Sequence, residues 1–213
     1  MTVSMAAQDW ANLDRYREAN EALQKELPKE GRIVFMGNSI TEGWSDHHPE
    51  FFNNPAYINR GISGQTTPQM LLRFKQDVID LQPQVVIILA GINDIAGNTG
   101  PATQKMIEDN IFSMVELAKV HGIQVVLASV LPASEFPWAP GLEPAQKVIA
   151  LNTSLRSYAE ANDLVYLDYF TAMVDAKNGL KKQYTYDGVH PNESGYKIMA
   201  PLAIAAINKT VNQ

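Results

Sequence analysis

The chain has 213 residues, of which 46% are hydrophobic and 19% charged, and both fractions are ordinary for a globular protein. Lysine and arginine total 17 against 23 aspartates and glutamates, so the formal net charge is −6 and the composition offers no electrostatic attraction to nucleic acid or to an anionic membrane. The absence of cysteine excludes disulfides, thiol catalysis and cysteine-ligated zinc.

The length favours a single domain over residues 1–213, because α/β domains often reach this size. No apolar run approaches the ~20 residues of a membrane helix. Residues 1–9 carry no charged stretch followed by an apolar one. We therefore expect no nucleic-acid partner and no stable membrane association. The compartment stays open between the cytoplasm and a periplasmic or secreted location reached with a signal peptide that is later removed.

Five short apolar runs predict the strands of a buried sheet. Continuous runs of this kind are typical of parallel strands that are covered on both faces. In chain order the predicted strands are residues 33–36, 56–59, 85–90, 125–130 and 164–167.

Helical patterns alternate with these strands. The opening segment 1–28 is expected to carry an amphipathic helix over 10–27, ended by Pro28 and packed on the domain as scaffold or as a self-association face. Repeated β-α-β units imply a doubly wound, three-layer α/β/α sandwich around a five-stranded parallel sheet. The further predicted helices are residues 67–81, 103–120, 145–162 and 193–209.

Polar segments follow the predicted strands at the points where they end. Ligands of open α/β sheets bind at the carboxyl ends of the strands, so these segments are candidates for the functional site. They are residues 37–41, 59–64 and 91–94, and the segment 186–191 precedes the last helix.

Ser39 stands just after the first strand and before a predicted helix. A serine in that position is most often a helix cap, so by itself it does not indicate catalysis. The elbow motif G-x-S-x-G of α/β-hydrolases does not fit, because Thr41 occupies the position of its second glycine. Ester hydrolysis further requires a base, a group that orients the base, and donors for the developing oxyanion.

Residues with those properties occur elsewhere in the chain. His190 follows Asp187 by three positions in a turn that contains glycine and proline, so the carboxylate can reach the imidazole. Asn93 carries an amide donor, and Gly64 permits close approach of its backbone N–H. Each signal also has an ordinary explanation in turn chemistry.

Taken together and in order, these segments resemble the conserved blocks of the SGNH (GDSL-like) hydrolase family. The matching segments are 37–41 (GNSIT), 61–64 (GISG), 91–94 (GIND) and 187–190 (DGVH). The resemblance implies a flavodoxin-like sheet and a Ser39–His190–Asp187 triad. It also implies an oxyanion hole made by the N–H groups of Ser39 and Gly64 and by the amide of Asn93. Neither a metal nor a cofactor is required by this mechanism.

One residue departs from the family pattern. The family usually has aspartate before the serine, whereas this chain has Asn38, which is isosteric but uncharged. We expect activity to be retained. Asn38, Arg60 and Trp138 are the candidate substrate contacts, although Arg60 can equally brace its loop. Trp138 belongs to a loop over 131–144 that either walls a pocket or packs onto the surface.

The expected substrate is a small ester, with an acetylated carbohydrate as the leading candidate, because no hydrophobic lid or membrane-binding helix is evident. The enzymatic alternatives are a lysophospholipase, a medium-chain esterase and a thioesterase. A non-catalytic glycan- or lipid-binding relative is the alternative from another class, and a homo-oligomer is left open.

Overall fold

The computed structural model describes residues 9–25 and 31–213, and its centre is a five-stranded sheet. The strands are β1 (Ile33–Gly37), β2 (Tyr57–Gly61), β3 (Val85–Ile88), β4 (Gln124–Ala128) and β5 (Val165–Leu167). All neighbouring strands pair in parallel, in the order β2-β1-β3-β4-β5. This is the order of flavodoxin-like sheets, so the predicted fold class is confirmed.

Helices cover the sheet on both faces. The helix α6 (Gln104–Val120) packs against α4 (Thr67–Asp77), α7 (Ala145–Ala161) and β4, while α9 (Glu193–Val211) lies across β3, β4 and β5. Short 3-10 helices occupy Pro49–Asn53, Ile79–Leu81 and Lys182–Tyr184. The α-helices in the described residues are α1 (Arg17–Lys25), α2 (Ser39–Glu42), α3 (Trp44–His47), α4 (Thr67–Asp77), α5 (Ile92–Ile95), α6 (Gln104–Val120), α7 (Ala145–Ala161), α8 (Tyr169–Met173) and α9 (Glu193–Val211).

The central strands form the innermost part of the core. Every residue of β1 and β3 is buried, which explains why both strands read as continuous apolar runs without alternation. Ile33 pairs with both Tyr57 and Val85, so β1 is hydrogen-bonded on its two sides.

The strand order reverses between β1 and β3. The chain leaves β1 towards β2 on one side, and it leaves β3 towards β4 on the other side. The loops after the two strands therefore diverge and leave a crevice at the carboxyl edge of the sheet. Ser39 follows β1 and Asn93 follows β3, so both residues border this crevice.

The predicted opening helix over 10–27 is wrong in its first half. Helix α1 begins at Arg17, and the preceding residues form turns. Asn12 has a left-handed backbone (φ 57°), and the Asp9 carboxylate accepts hydrogen bonds from the N–H groups of Leu13 and Asp14. Such local bonds compete with a helix. The predicted end at Leu27 and Pro28 lies outside the described residues.

Two predicted boundaries differ for identifiable reasons. Helix α4 ends at Asp77, because Val78 leaves the helical backbone conformation (φ −128°) and a 3-10 helix over Ile79–Leu81 follows, with the side chains of Val78 and Ile79 both buried. Strand β4 ends at Ala128 rather than at residue 130. The Asn152 side chain there exchanges two hydrogen bonds with the backbone of Val130, of 2.7 and 2.9 Å, and takes the place of a strand partner.

Candidate active site

Ser39 is the first residue of α2, immediately beyond the end of β1. The side chain of Asn38 caps this helix, since its Oδ1 accepts a hydrogen bond from the N–H of Ile40 over 3.2 Å. Close packing of α2 requires glycine at two strand ends. A Cβ on Gly37 would lie 1.9 Å from Thr41 Oγ1, and one on Gly61 would lie 2.1 Å from a backbone nitrogen of α2.

His190 and Asp187 reach Ser39 from the turn before α9. Ser39 Oγ lies 2.9 Å from His190 Nε2, and His190 Nδ1 lies 2.6 Å from Asp187 Oδ2. Gly188 shapes this turn with a φ of 90°, a conformation that side chains rarely adopt. The arrangement lets Nδ1–H donate to the carboxylate and leaves Nε2 free to accept the serine proton.

The same turn stabilises the ionised form of Asp187. Burial raises the pKa of Asp187, but hydrogen bonds from the backbone and ring of His190 and from the N–H of Val189 outweigh it, so the pKa lies below its ordinary value of 3.8. The backbone bonds to Oδ1 measure 2.7 Å from His190 and 2.9 Å from Val189. The carboxylate therefore keeps its charge beside the imidazole over the working pH range.

The three expected oxyanion donors border one space. Ser39, Gly64 and Asn93 all line the cleft above the sheet. Asn93 lies on α5 and is 4% exposed, and its Nδ2 donates to the carbonyl of Gln65 over 2.9 Å. Within the described residues, the backbone N–H groups of Ser39 and Gly64 donate to no protein acceptor.

A buried carboxylate connects the two loops that carry Gly64 and Asn93. Asp94 is buried and accepts hydrogen bonds from the N–H of Thr67 over 3.0 Å and from its hydroxyl over 2.6 Å. Burial raises the pKa of Asp94, and these bonds from Thr67 partly offset the rise. The contact joins the start of α4 to α5 and so fixes Asn93 relative to the loop of Gly64.

The cleft itself has a volume of about 760 Å³, and both polar groups and aromatic rings line it. The rings of Trp138 and Tyr186 each lie with their centroid 5.8 Å from that of the His190 ring, and the ring of Tyr186 is nearly parallel to the imidazole, at 9°. The remaining wall consists of polar or charged side chains and glycine, apart from Tyr16: Arg15, Tyr16, Glu42, Gly43, Ser45, Asp46, His47, Asn59, Ser63 and Asn98 complete it.

The opening segment contributes to this wall, which sequence reasoning missed. Arg15 pairs with Glu42 over 3.0 Å, and the hydroxyl of Tyr16 donates to the carbonyl of Gly61 over 2.5 Å. Glu42 also accepts a hydrogen bond from the N–H of Ser63 over 2.8 Å. An amphipathic pattern indicates which residues of the segment face the domain. It does not indicate that Arg15 and Tyr16 face the domain at its cleft.

The structure corrects two of the three predicted substrate contacts. Asn38 is 1% exposed and Arg60 is 5% exposed, and neither lines the cleft. Arg60 instead donates to Asn20 over 2.9 Å and lies over the ring of Tyr16 at 4.6 Å, so it braces the opening segment. Burial lowers the pKa of Arg60 to about 10. Trp138 is 45% exposed at the mouth of the cleft, where substrate contact was predicted.

Metal ligation has no support in the described part of the chain, where no cluster of three or more His, Cys, Asp or Glu side chains could hold an ion. His47 stacks on Tyr196 and lies beside the tilted ring of Tyr186, and His48 pairs with Glu50 over 3.1 Å. Across residues 9–25 and 31–213, no helix has the length and hydrophobicity needed to span a membrane.

A serine hydroxyl, an imidazole and a carboxylate within hydrogen-bond reach of one another, at the switch point of a flavodoxin-like sheet, have the geometry of the serine-hydrolase class of site. The model of the GDSL-like Lipase/Acylhydrolase family matches residues 35–198, and the chain belongs to this family. The predicted family membership is thereby confirmed.

Solved structures similar to this chain come from Bacteroides species. A candidate acylhydrolase from Bacteroides fragilis is 50% identical, with a TM-score of 0.92, over 96% of this chain and 99% of that chain. A GDSL-like lipase from Bacteroides thetaiotaomicron is 51% identical, with a TM-score of 0.90, over 93% and 98% of the two chains.

Similarity to curated sequences is more partial. An acetylxylan esterase from Xylanibacter ruminicola is 25% identical over 84% of this chain and 44% of its own length. The chain spans less than half the length of the curated relatives that it matches.

Proposed function

We propose that this chain is a serine esterase that removes short acyl groups, acetyl above all, from a carbohydrate. The observation that carries the proposal is the chain of two contacts from Ser39 Oγ to His190 Nε2 (2.9 Å) and from His190 Nδ1 to Asp187 (2.6 Å). Nucleophile, base and orienting group lie within hydrogen-bond reach before any substrate binds.

The proposed reaction has two halves. His190 takes the proton of Ser39 as the hydroxyl attacks the ester carbonyl, and the tetrahedral oxyanion is held by the N–H groups of Ser39 and Gly64 and by the amide of Asn93. His190 then gives the proton to the departing alcohol. Water repeats the sequence on the acyl-enzyme, which releases the carboxylic acid and restores Ser39.

The wall of the cleft supports a short acyl group. Among its lining residues, all in the described part of the chain, there is no Leu, Ile, Val, Met or Phe. A long alkyl chain gains about 0.8 kcal/mol for each CH₂ that it buries, and the apolar surface of this wall comes from aromatic rings and the stems of polar side chains, with no aliphatic side chain to bury such a chain against. An acetyl group has no alkyl chain to bury, so it does not require an apolar wall.

The surroundings of His190 support a sugar as the alcohol. The departing oxygen must lie at His190 Nε2 to receive its proton, so the alcohol lies close to the rings of Trp138 and Tyr186, which line the cleft beside the imidazole. A pyranose presents an apolar CH face that suits an aromatic ring and hydroxyl groups that suit the polar wall. The wall carries two carboxylates, Glu42 and Asp46, and one guanidinium group, Arg15. This excess of negative charge disfavours a phosphate-bearing alcohol such as that of a lysophospholipid.

The acetylxylan esterase of Xylanibacter ruminicola gives this substrate class further support, since an acetylated sugar polymer stands in that relative's name. The decisive experiment is the release of acetate from a panel of acetylated oligosaccharides. Ser39→Ala is the control, because it removes the nucleophile and leaves the cleft in place. Turnover by a pure Ser39→Ala sample would remove the proposed mechanism.

A chain-length series of p-nitrophenyl esters separates this proposal from a medium-chain esterase. We expect the highest kcat/KM for acetate, whereas a maximum at octanoate would favour the longer acyl groups. Labelling of Ser39 by a fluorophosphonate separates it from a non-catalytic binding protein. An unlabelled Ser39, together with tight binding of a glycan, would favour the binding protein.

A further inference from the structure

Arg73, on α4, is a fully buried arginine that reaches three separate parts of the fold. Its Nη1 donates to Asp77 Oδ2 over 2.9 Å, and its Nε donates to Gln65 Oε1 over 2.6 Å. Its Nη2 donates to the backbone carbonyl of Gly37 over 2.8 Å. A guanidinium group is planar and rigid, so the three acceptors are held at fixed positions relative to one another.

Two of the three acceptors lead directly into the active site. The carbonyl of Gly37 belongs to the last residue of β1, two positions before Ser39. Gln65 immediately follows Gly64, and its carbonyl oxygen accepts the 2.9 Å hydrogen bond from Asn93 Nδ2. Arg73 is therefore linked to each of the three expected oxyanion donors through a few covalent bonds or one additional hydrogen bond.

The third acceptor holds the arginine itself in place. The side chains of Arg73 and Asp77 are 0% and 1% exposed, so neither charge is solvated. Asp77 Oδ1 accepts a further hydrogen bond from Asn20 over 2.6 Å, which satisfies the second carboxylate oxygen. Apolar side chains commonly fill such a space with equal or greater stability, so stability alone does not require a buried ion pair here.

We propose that Arg73 is the positioning residue of the oxyanion hole. It sets the separation between the turn that carries Ser39 and the loop that carries Gly64, and through Gln65 it aligns the amide of Asn93. Arg73 does not touch the substrate. The inference rests on the proposed esterase function, because it assigns a role within that reaction.

Arg73→Lys is the first test, with Arg32→Lys as a matched control. Arg32 is also buried and donates to backbone carbonyls, at 2.5 Å to Leu81 and 3.4 Å to Leu23, but it precedes β1 at the opposite end of the sheet from Ser39. A lysine ammonium cannot hold three acceptors in one plane. We expect Arg73→Lys to lower kcat for p-nitrophenyl acetate about 100-fold, as small misplacements of catalytic groups do.

The split between kinetic constants separates positioning from a general structural effect. We expect Arg73→Lys to keep KM within about twofold of the wild type, because only transition-state contacts are lost. The affinity for a boronic acid that forms a tetrahedral adduct on Ser39 should fall by the same factor as kcat/KM. Arg32→Lys should lower the melting temperature and leave kcat and the boronic-acid affinity unchanged.

Gln65→Met provides a second variant that retains Arg73. It removes the Oε1 acceptor in a side chain of similar size, and kcat should again fall with KM unchanged. A kcat within threefold of the wild type in soluble Arg73→Lys overturns the inference, as does a loss no larger than that of Arg32→Lys. If Arg73→Lys is insoluble, full kcat in Gln65→Met overturns it. A wild-type protein without ester turnover overturns the proposed function first, and the inference with it.

Discussion

The carboxylate of Glu42 accepts a 2.8 Å hydrogen bond from the backbone N–H of Ser63, the residue that directly precedes Gly64. The hydroxyl of Ser63 donates to the same oxygen, and Arg15 pairs with the other. One side chain of α2 therefore holds the outer side of the loop on which the Gly64 donor depends.

We predict that Glu42→Ala lowers kcat for p-nitrophenyl acetate about tenfold, because a hydrogen bond to a charged acceptor contributes about 1.5–3 kcal/mol. Glu42→Gln should lose less, since its amide oxygen still accepts from Ser63. Steady-state kinetics of both variants test this order. Equal kcat in the wild type and Glu42→Ala would show that the loop holds its position without the carboxylate.

Acid should weaken the fold through Glu42 and Asp187. Burial raises both pKa values, but hydrogen bonds from Ser63 and Arg15 to Glu42, and from His190 and Val189 to Asp187, outweigh it and leave both pKa values below normal. In the unfolded chain the pKa values are 4.5 for Glu42 and 3.8 for Asp187, and in the fold both are lower. Each carboxylate therefore contributes its full stabilisation when the pH is above its unfolded pKa. That stabilisation is lost as the pH falls through the folded pKa.

Melting temperatures measured from about pH 6 down to about pH 3 test this linkage. The wild type should lose more stability over that interval than Glu42→Gln or Asp187→Asn, because neither variant can take up the corresponding proton. Parallel curves for the wild type and both variants would mean that these carboxylates do not contribute to acid unfolding.

Asp187→Asn should also reveal how strongly the triad depends on its carboxylate. An amide can hold His190 in the wrong tautomer, and the corresponding change in a serine protease lowers kcat about 10⁴-fold. The measurement is kcat with p-nitrophenyl acetate, with fluorophosphonate labelling as a second readout of Ser39. A loss below tenfold would indicate that Asp187 is dispensable for orienting the imidazole.

Asn93→Ala should lower kcat by 10²–10³, about 3–4 kcal/mol of transition-state stabilisation, as expected for loss of one oxyanion donor. Asn110→Ala is a suitable comparison, because Asn110 donates to Thr67 over 3.1 Å but lies outside the cleft. If both variants lose the same activity, the effect of Asn93 comes from the packing of the loops.

Trp138→Ala should distinguish a sugar substrate from a simple aryl ester. Loss of an aromatic contact of about 1 kcal/mol should raise KM for an acetylated oligosaccharide about fivefold, with a smaller effect on p-nitrophenyl acetate. Trp10→Ala serves as the control, since Trp10 is equally exposed (44% against 45%) but lies outside the cleft. An unchanged KM would remove Trp138 from the proposed sugar contact.

The centre of the sheet was predictable because β1 and β3 are buried along their whole length. The runs at 33–36 and 85–90 contain no polar residue, so their burial is evident without any tertiary information. The catalytic candidates were predictable from their order along the chain and from the topology, which brings strand ends to one edge.

Contacts between distant polar side chains were not predictable. Arg73 lies within an amphipathic helix, and nothing in the spacing indicates that its side chain turns inward to Gly37. Asn152 replaces a strand partner for Val130, and Arg15 meets Glu42, through packing that a single sequence does not encode locally. Each of these pairs depends on the completed fold.

The opening segment is fastened to the domain by glutamine side chains that donate to its backbone carbonyls, from Gln65 to Ala11, from Gln69 to Trp10 and from Gln76 to Leu13. Such bonds depend on the backbone of the segment and not on which side chains it carries at Trp10 and Leu13, both of which are exposed. Arg15 and Tyr16, which follow these residues and line the cleft, precede the region that the family model matches. Changes at these two positions would therefore alter the cleft wall while leaving the blocks that we propose to perform the chemistry unchanged.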